Sequence, residues 1–230
     1  MKKIKHIGIA AITAEGAALA YRHICQEAQK ILGKNTHPEI TLHSFSFSDY
    51  FKNPEHRLRD WQDLICNSAE KLAATGADFF ICPSNTNHEV YDLVKDRLAI
   101  PWISIAEAVR KQVVKKQLSK VALLGTIYTM QSDIYTKIFS ASGIEIAVPC
   151  KERQEEIHRI IYQELLLNII TPESKKFLLE TIDEMSEQNC HGVILACTEL
   201  PMIISRNDCS IEVFDSTFIL AKEAVDYALI

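Results

Sequence analysis

Cys197 and Ser84 are the residues whose chemical type and setting are best suited to moving a proton. Each follows a short apolar run, Gly192 to Ala196 in one case and Ala77 to Ile81 in the other. Each belongs to a run of small polar residues, Cys197-Thr198-Glu199 and Ser84-Asn85-Thr86-Asn87-His88. Continuous apolar runs of this length suit strands covered on both faces. The carboxyl ends of such strands are where an open α/β sheet presents its binding crevice. A thiol at the start of a helical turn has a pKa lowered from about 8.5, because free N–H groups favour the anion. Cys197 is therefore a candidate general base, and Ser84 is its counterpart in the other half. Asn85, Thr86, Thr126 and Thr198 offer hydroxyls and an amide to a carboxylate, with Thr126 at a helix start after Gly125. Caps and turns use the same residue types, so both roles stay open. His88 and His158 are candidate acids or positioning groups.

The elements that must hold these residues follow from the pattern of the chain. Strands are predicted at Lys5 to Ala10, Glu39 to Phe45, Ala77 to Ile81 and Pro101 to Ile103. In the second half they fall at Lys120 to Leu124, Ile144 to Val148, Gly192 to Ala196 and Ile211 to Phe214. Helices lie between them. One carries Leu19, Ile24, Ala28 and Ile31 and ends at Gly33, where a C-cap glycine belongs. Thr86 and Glu89 have capping-box spacing. A helix opened by Thr126 is predicted to reach Ala141, and another runs from Glu152 to Ile170. Thr171-Pro172-Glu173 combines a cap, a first-turn proline and a favourable carboxylate. Alternating strands and helices imply an α/β fold with parallel sheets. The order repeats, which gives two lobes: residues 1–105 with 212–230, and residues 106–211.

Composition narrows the function classes. A chain of 230 residues suffices for one large domain or two compact lobes. No apolar stretch approaches the roughly 20 residues of a membrane span, and the start has no separate apolar core with a cleavage site. The net charge of −5 argues against nucleic acid as a partner. Seven cysteines, an odd count without Cys-x-x-Cys spacing, suggest neither disulfides nor a zinc knuckle, so a reducing cytoplasm fits best. No glycine-rich phosphate loop occurs, so a nucleotide cofactor is not expected. No metal-ligand spacing is present either.

Ser84-Asn85-Thr86-Asn87-His88 resembles the Cys-Asn-Thr-x-His motif of the aspartate/glutamate racemase family. Ala196-Cys197-Thr198-Glu199-Leu200-Pro201 resembles its second cysteine motif. Gly125 to Ser132, Gln154 to Leu165 and Asp215-Ser216-Thr217 resemble further segments, so the likeness covers nearly the whole chain. The resemblance implies two pseudo-symmetric, Rossmann-like α/β lobes with an active-site cleft between them. It also implies racemisation without a cofactor, one cysteine removing the α-proton while the other protonates the opposite face. The substrate-binding set it implies here is Asn85, Thr86, Thr126, Thr198 and Glu199, with an amino acid or small carboxylate as ligand and a homodimer as assembly. Three departures stand out. Ser84 occupies the first cysteine position, Ala11-Ile12-Thr13-Ala14-Glu15 replaces a glycine-rich start, and Leu167 stands near where a lysine is often found. If the strand continues beyond Ile81, Cys82 lies on the same face as Ser84 but roughly 6.6 Å further back. Arg57 is the candidate loop cation for an acidic side chain. The expected function is amino-acid racemisation by Cys197 and Ser84. A decarboxylase or cis-trans isomerase of the same superfamily, or a weakly active carboxylate-binding protein, is the alternative.

Overall fold

The computed structural model describes residues 3–230. The chain forms two compact units, one running to Ala108 and resuming at Thr217, the other comprising Val109–Ser216. In the first unit the strands are β1 (Ile7–Ala11), β2 (Ile40–Ser44), β3 (Phe79–Ile81) and β4 (Trp102–Ile103). They form a parallel sheet in the order β2-β1-β3-β4. Its helices are α1 (Ala14–Leu32), α2 (Arg57–Ala74) and α3 (Tyr91–Val94), and α4 (Ile105–Lys115) carries the chain into the second unit. There β5 (Lys120–Gly125), β6 (Glu145–Ala147), β7 (Gly192–Ala196) and β8 (Glu212–Asp215) form a second parallel sheet, ordered β6-β5-β7-β8. Helices α5 (Ile127–Met130), α6 (Ile134–Ser140), α7 (Lys151–Gln163) and α8 (Pro172–Glu187) accompany it, and α9 (Ser216–Ala228) ends the chain. The fold is α/β, as the alternating pattern predicts. The two sheets share one topology, in which β3 and β7 hold the same place. The polar runs containing Ser84 and Cys197 thus follow equivalent strands.

Why these residues form these layers is a matter of period. Ile7 and Ile9 of β1, with Phe79 and Ile81 of β3, face Ala17, Ala20, Ile24 and Ala28 of α1 and the apolar side of α9. Ala10 and Phe80 point the other way, against Trp61, Ile65, Ala69 and Leu72 of α2. Successive strand residues alternate faces, so a strand covered on both sides must be apolar throughout. In the second unit Val193 and Leu195 share a face and pack against Ile157, Ile160 and Ile161 of α7 and Leu178, Ile182 and Met185 of α8. Each such side chain contributes about 1.5–3 kcal/mol by leaving water.

Two caps hold where the sequence marks them: Gly33 takes φ 100° after α1, and Thr171 accepts from the Ser174 N–H. The structure adds a third at the start of α1, where Thr13 accepts from the Gly16 N–H. Four expectations change. The helix expected to reach Ala141 breaks after Met130, where Ser132 Oγ bonds the Thr129 carbonyl at 2.9 Å and competes with the helical ladder. The helix expected to reach Ile170 stops at Gln163. Glu164 leaves helical geometry to accept from Arg159 and Ser174, and Asn168 turns left-handed at φ 58°. The Thr86–Glu89 capping box does not form, because Glu89 accepts two bonds from Arg57 at 2.6 and 3.0 Å, and charge-assisted pairs outcompete a neutral backbone donor. The return to the first unit comes at Thr217 rather than 212. β8 pairs with β7, and Ser216 Oγ donates to the Leu195 carbonyl at 2.8 Å.

Candidate active site

In the second unit the site is built on the carboxyl ends of β5 and β7. These strands run in register to their last residues, with Gly125 opposite Ala196. Thr126 and Cys197 therefore leave neighbouring strands together. A Cβ on Gly125 would lie 2.9 Å from the Ala196 carbonyl oxygen, so this close approach requires glycine. Thr126 caps the short α5, its hydroxyl accepting from the Thr129 N–H at 3.3 Å. The Ile127 N–H points to His158 Nδ1 at 3.4 Å. An acceptor role at Nδ1 gives His158 the neutral Nε2–H form, and burial lowers its pKa. Its ring packs on Tyr162 at 4.5 Å and meets Tyr128 edge-on at 5.7 Å. His158 is thus a positioning group for the Thr126 turn.

Cys197 continues the inward face of β7 after Val193 and Leu195, at the i+2 and i+4 positions that share a side of a strand. Its Sγ donates to Glu199 Oε2 at 2.9 Å. Thr198 and Glu199 are buried beside it, and a one-turn 3₁₀ helix, Leu200–Met202, follows. The expectation of a lowered thiol pKa is corrected. Burial, and after it the Glu199 carboxylate, push the Cys197 pKa well above its usual value. The N–H groups of Thr198 and Glu199 act in the opposite sense, as the sequence argument expects, and are outweighed. A thiol taken out of water beside a carboxylate pays desolvation and repulsion to ionise. Cys197 therefore rests as a thiol whose proton has an acceptor in contact. Glu199 Oε1 is buried and has no hydrogen-bond partner among the described residues.

In the first unit Ser84, Asn85 and Thr86 follow β3 in a tight turn, with the Ser84 N–H donating to the Cys82 carbonyl at 2.8 Å. Ser84 Oγ donates to Asn87 Oδ1 at 2.7 Å. Asn85 is buried, whereas Ser84 and Thr86 are half-buried. Cys82 is fully buried in the core against α2, and burial pushes its pKa up. That makes it an inert packing thiol.

His88 is clamped. The Ile105 N–H donates to Nε2 at 3.1 Å, and Nδ1 lies 2.8 Å from the Ser84 carbonyl. The first bond makes Nε2 an acceptor, so Nδ1 carries the hydrogen and donates it to Ser84. Burial pushes the pKa down to about 4. A neutral imidazole with both nitrogens engaged is not an acid near neutrality; His88 ties the Ser84 turn to the start of α4. Its folded pKa lies below the unfolded value of about 6.5. The unfolded chain therefore binds more protons between these limits, and stability is full above pH 6.5 and falls as pH drops toward 4. The expected loss across that window is up to about 3 kcal/mol. Urea titrations at several pH values read it. A His88→Gln protein with an unchanged pH slope would assign the loss to other groups.

Arg57, the candidate cation for an acidic substrate, starts α2 with its guanidinium paired to Glu89 and stacked 4.5 Å from the Trp61 ring. It serves as a strut in this arrangement. Leu167 is 65% exposed in the turn after α7, so no charged group stands at that position. Three features were not read from the sequence: the contact of Glu199 with Cys197, the hold of Asn87 on Ser84, and the aromatic packing about His158. The first two had a signal available, since each residue lies within three positions of the group it serves.

Residues 9–224 match the Asp/Glu/hydantoin racemase family. The chain belongs to this family. Its structure is similar to that of an aspartate racemase homologue from Pyrococcus horikoshii, with a TM-score of 0.87 and 34% identity, covering 100% of both chains. A candidate Asp/Glu racemase from Yersinia pestis gives a TM-score of 0.89 at 32% identity, covering 98% of this chain and 100% of that one. Among curated proteins, the broad specificity amino-acid racemase RacX of Bacillus subtilis is 28% identical over 208 residues, 86% of each chain. Among the described residues, no helix is long and apolar enough to cross a membrane.

Proposed function

We propose that the protein is an isomerase that racemises an amino acid without a cofactor, with Cys197 as the acid/base of one face and Ser84 serving the other. The observation that carries this reading is the 2.9 Å contact between Cys197 Sγ and Glu199 Oε2 at the end of β7. A resting thiol cannot remove an α-proton. In the proposed step Glu199 takes the thiol proton, the Cys197 thiolate takes the substrate α-proton, and Ser84 gives its hydroxyl proton to the carbanion from the opposite face. Water then reprotonates the Ser84 alkoxide and takes the proton from Glu199, which restores the resting site. Run backwards, the Cys197 thiol is the acid. The pKa raised by burial suits a group that must hold its proton until substrate is bound. Asn85, Thr86, Thr126 and Thr198 are proposed to bind the substrate carboxylate, and Glu199 Oε1 suits the α-ammonium group because it is a buried acceptor without a donor. The lyase and cis-trans isomerase alternatives gain no support from the relatives. A homodimer in a reducing cytoplasm completes the proposal, in keeping with the free cysteines.

The reading has a measurable asymmetry. Enantiomers have equal energy in water, so kcat/KM must be equal in both directions. Proton exchange without inversion is not so constrained. A serine hydroxyl is a far weaker acid than a thiol, so removing the α-proton at the Ser84 face is slow. The resemblance of the Cys197 motif to the family's second cysteine motif implies that Cys197 serves the L-enantiomer, so an L-amino acid in heavy water is expected to exchange its α-proton faster than the D-form accumulates. The D-form should show little exchange without inversion. Mass spectrometry with chiral chromatography over an amino-acid panel reads both. Equal exchange from L and D would mean competent bases on both faces. Ser84→Cys should then raise inversion of a substrate that already exchanges, and an unchanged rate in a folded variant would remove Ser84 from proton transfer.

A further inference from the structure

Asn87 stands inside the polar run after β3, yet neither the Cys197 chemistry nor the clamp on His88 uses it. It is 3% exposed. Its Oδ1 accepts the Ser84 hydroxyl hydrogen at 2.7 Å, while its Nδ2 has no hydrogen-bond partner among the described residues. Both atoms belong to one planar amide, so an unpaired donor sits directly beside Ser84 Oγ. Buried amide donors are nearly always paired, because leaving one unmade costs free energy. The neighbouring groups do not supply the acceptor. The Ser84 carbonyl holds His88 Nδ1–H, and the Cys82 carbonyl accepts the Ser84 N–H.

We propose that Asn87 is a further substrate-binding residue, its Nδ2–H donating to a carboxylate oxygen of the ligand while its Oδ1 fixes the Ser84 hydroxyl. This rests on the reading above that Ser84 faces the substrate. It has a consequence for that serine. With its hydrogen given to Asn87, Ser84 Oγ presents only lone pairs to the ligand, so delivering a proton from Ser84 requires the Asn87 contact to open. Asn87 thereby links carboxylate recognition to the slow face of the reaction.

The test uses 2-aminoisobutyrate, an amino acid with the carboxylate and ammonium groups but no α-proton, so binding is read without turnover. Calorimetric titration and the ligand-dependent rise in Tm report affinity. Asn87→Asp keeps an acceptor for Ser84 and replaces the donor by an anion; binding is expected to be lost. Asn87→Ala removes the donor without adding charge, and binding is expected to weaken at least tenfold, the scale of one hydrogen bond to a charged group. The melting point of each ligand-free variant checks the fold. For an amino acid that the native protein converts, the loss in Asn87→Ala should fall mainly on KM. Native affinity in Asn87→Ala, or a native protein that does not bind 2-aminoisobutyrate, would overturn the assignment. Asn87-sensitive binding without α-proton exchange from any amino acid would leave Asn87 in place and overturn the racemase reading instead.

Discussion

Replacing Cys197 with serine is expected to lower both inversion and α-proton exchange by about a thousandfold or more, the scale of a lost general base. Serine keeps nearly the size of cysteine, and this matters because Cys197 is buried against the core of the second unit. Cys197→Ala should give the same loss of turnover with about 1 kcal/mol of destabilisation from the emptied volume. Measuring both variants separates the two effects. A folded serine variant keeping more than a tenth of native exchange would remove Cys197 from the mechanism.

Glu199→Gln is expected to move two readouts in opposite directions. Burial is the main cause of the raised Cys197 pKa, and the Glu199 charge is the next. Neutralising that charge lowers the thiol pKa, so more thiolate is present at a given pH. Iodoacetamide labelling of Cys197, followed on its own peptide by mass spectrometry, should then become faster near pH 8. Turnover should nevertheless fall about a hundredfold to ten-thousandfold, because the acceptor that receives the thiol proton is gone. A carboxylate that only packed against the thiol would leave turnover near native. A variant that is both faster to label and fully active would show that Glu199 restrains Cys197 without relaying its proton.

Much of this protein was determined by sequence alone. The apolar runs before Ser84 and Cys197 suit strands covered on both faces, because such strands read as continuous apolar residues. Gly33 and Thr171-Pro172 mark helix ends because capping is local chemistry between near neighbours. The two polar runs after equivalent strands could likewise be read as site candidates, and the motif around Cys197 carried the family likeness. Tertiary structure decided what distant or competing partners control. Glu89 had the spacing to cap a helix and instead pairs with Arg57, 32 residues away in sequence. The state of Cys197 was decided the same way. The sequence shows a thiol before a helical turn, whose N–H groups favour the thiolate. Only the packed core shows how completely β7 carries that thiol out of water and sets it against the Glu199 carboxylate. Desolvation and like charge scale with burial and distance, which spacing along a chain does not specify, and here they outweigh the local dipoles.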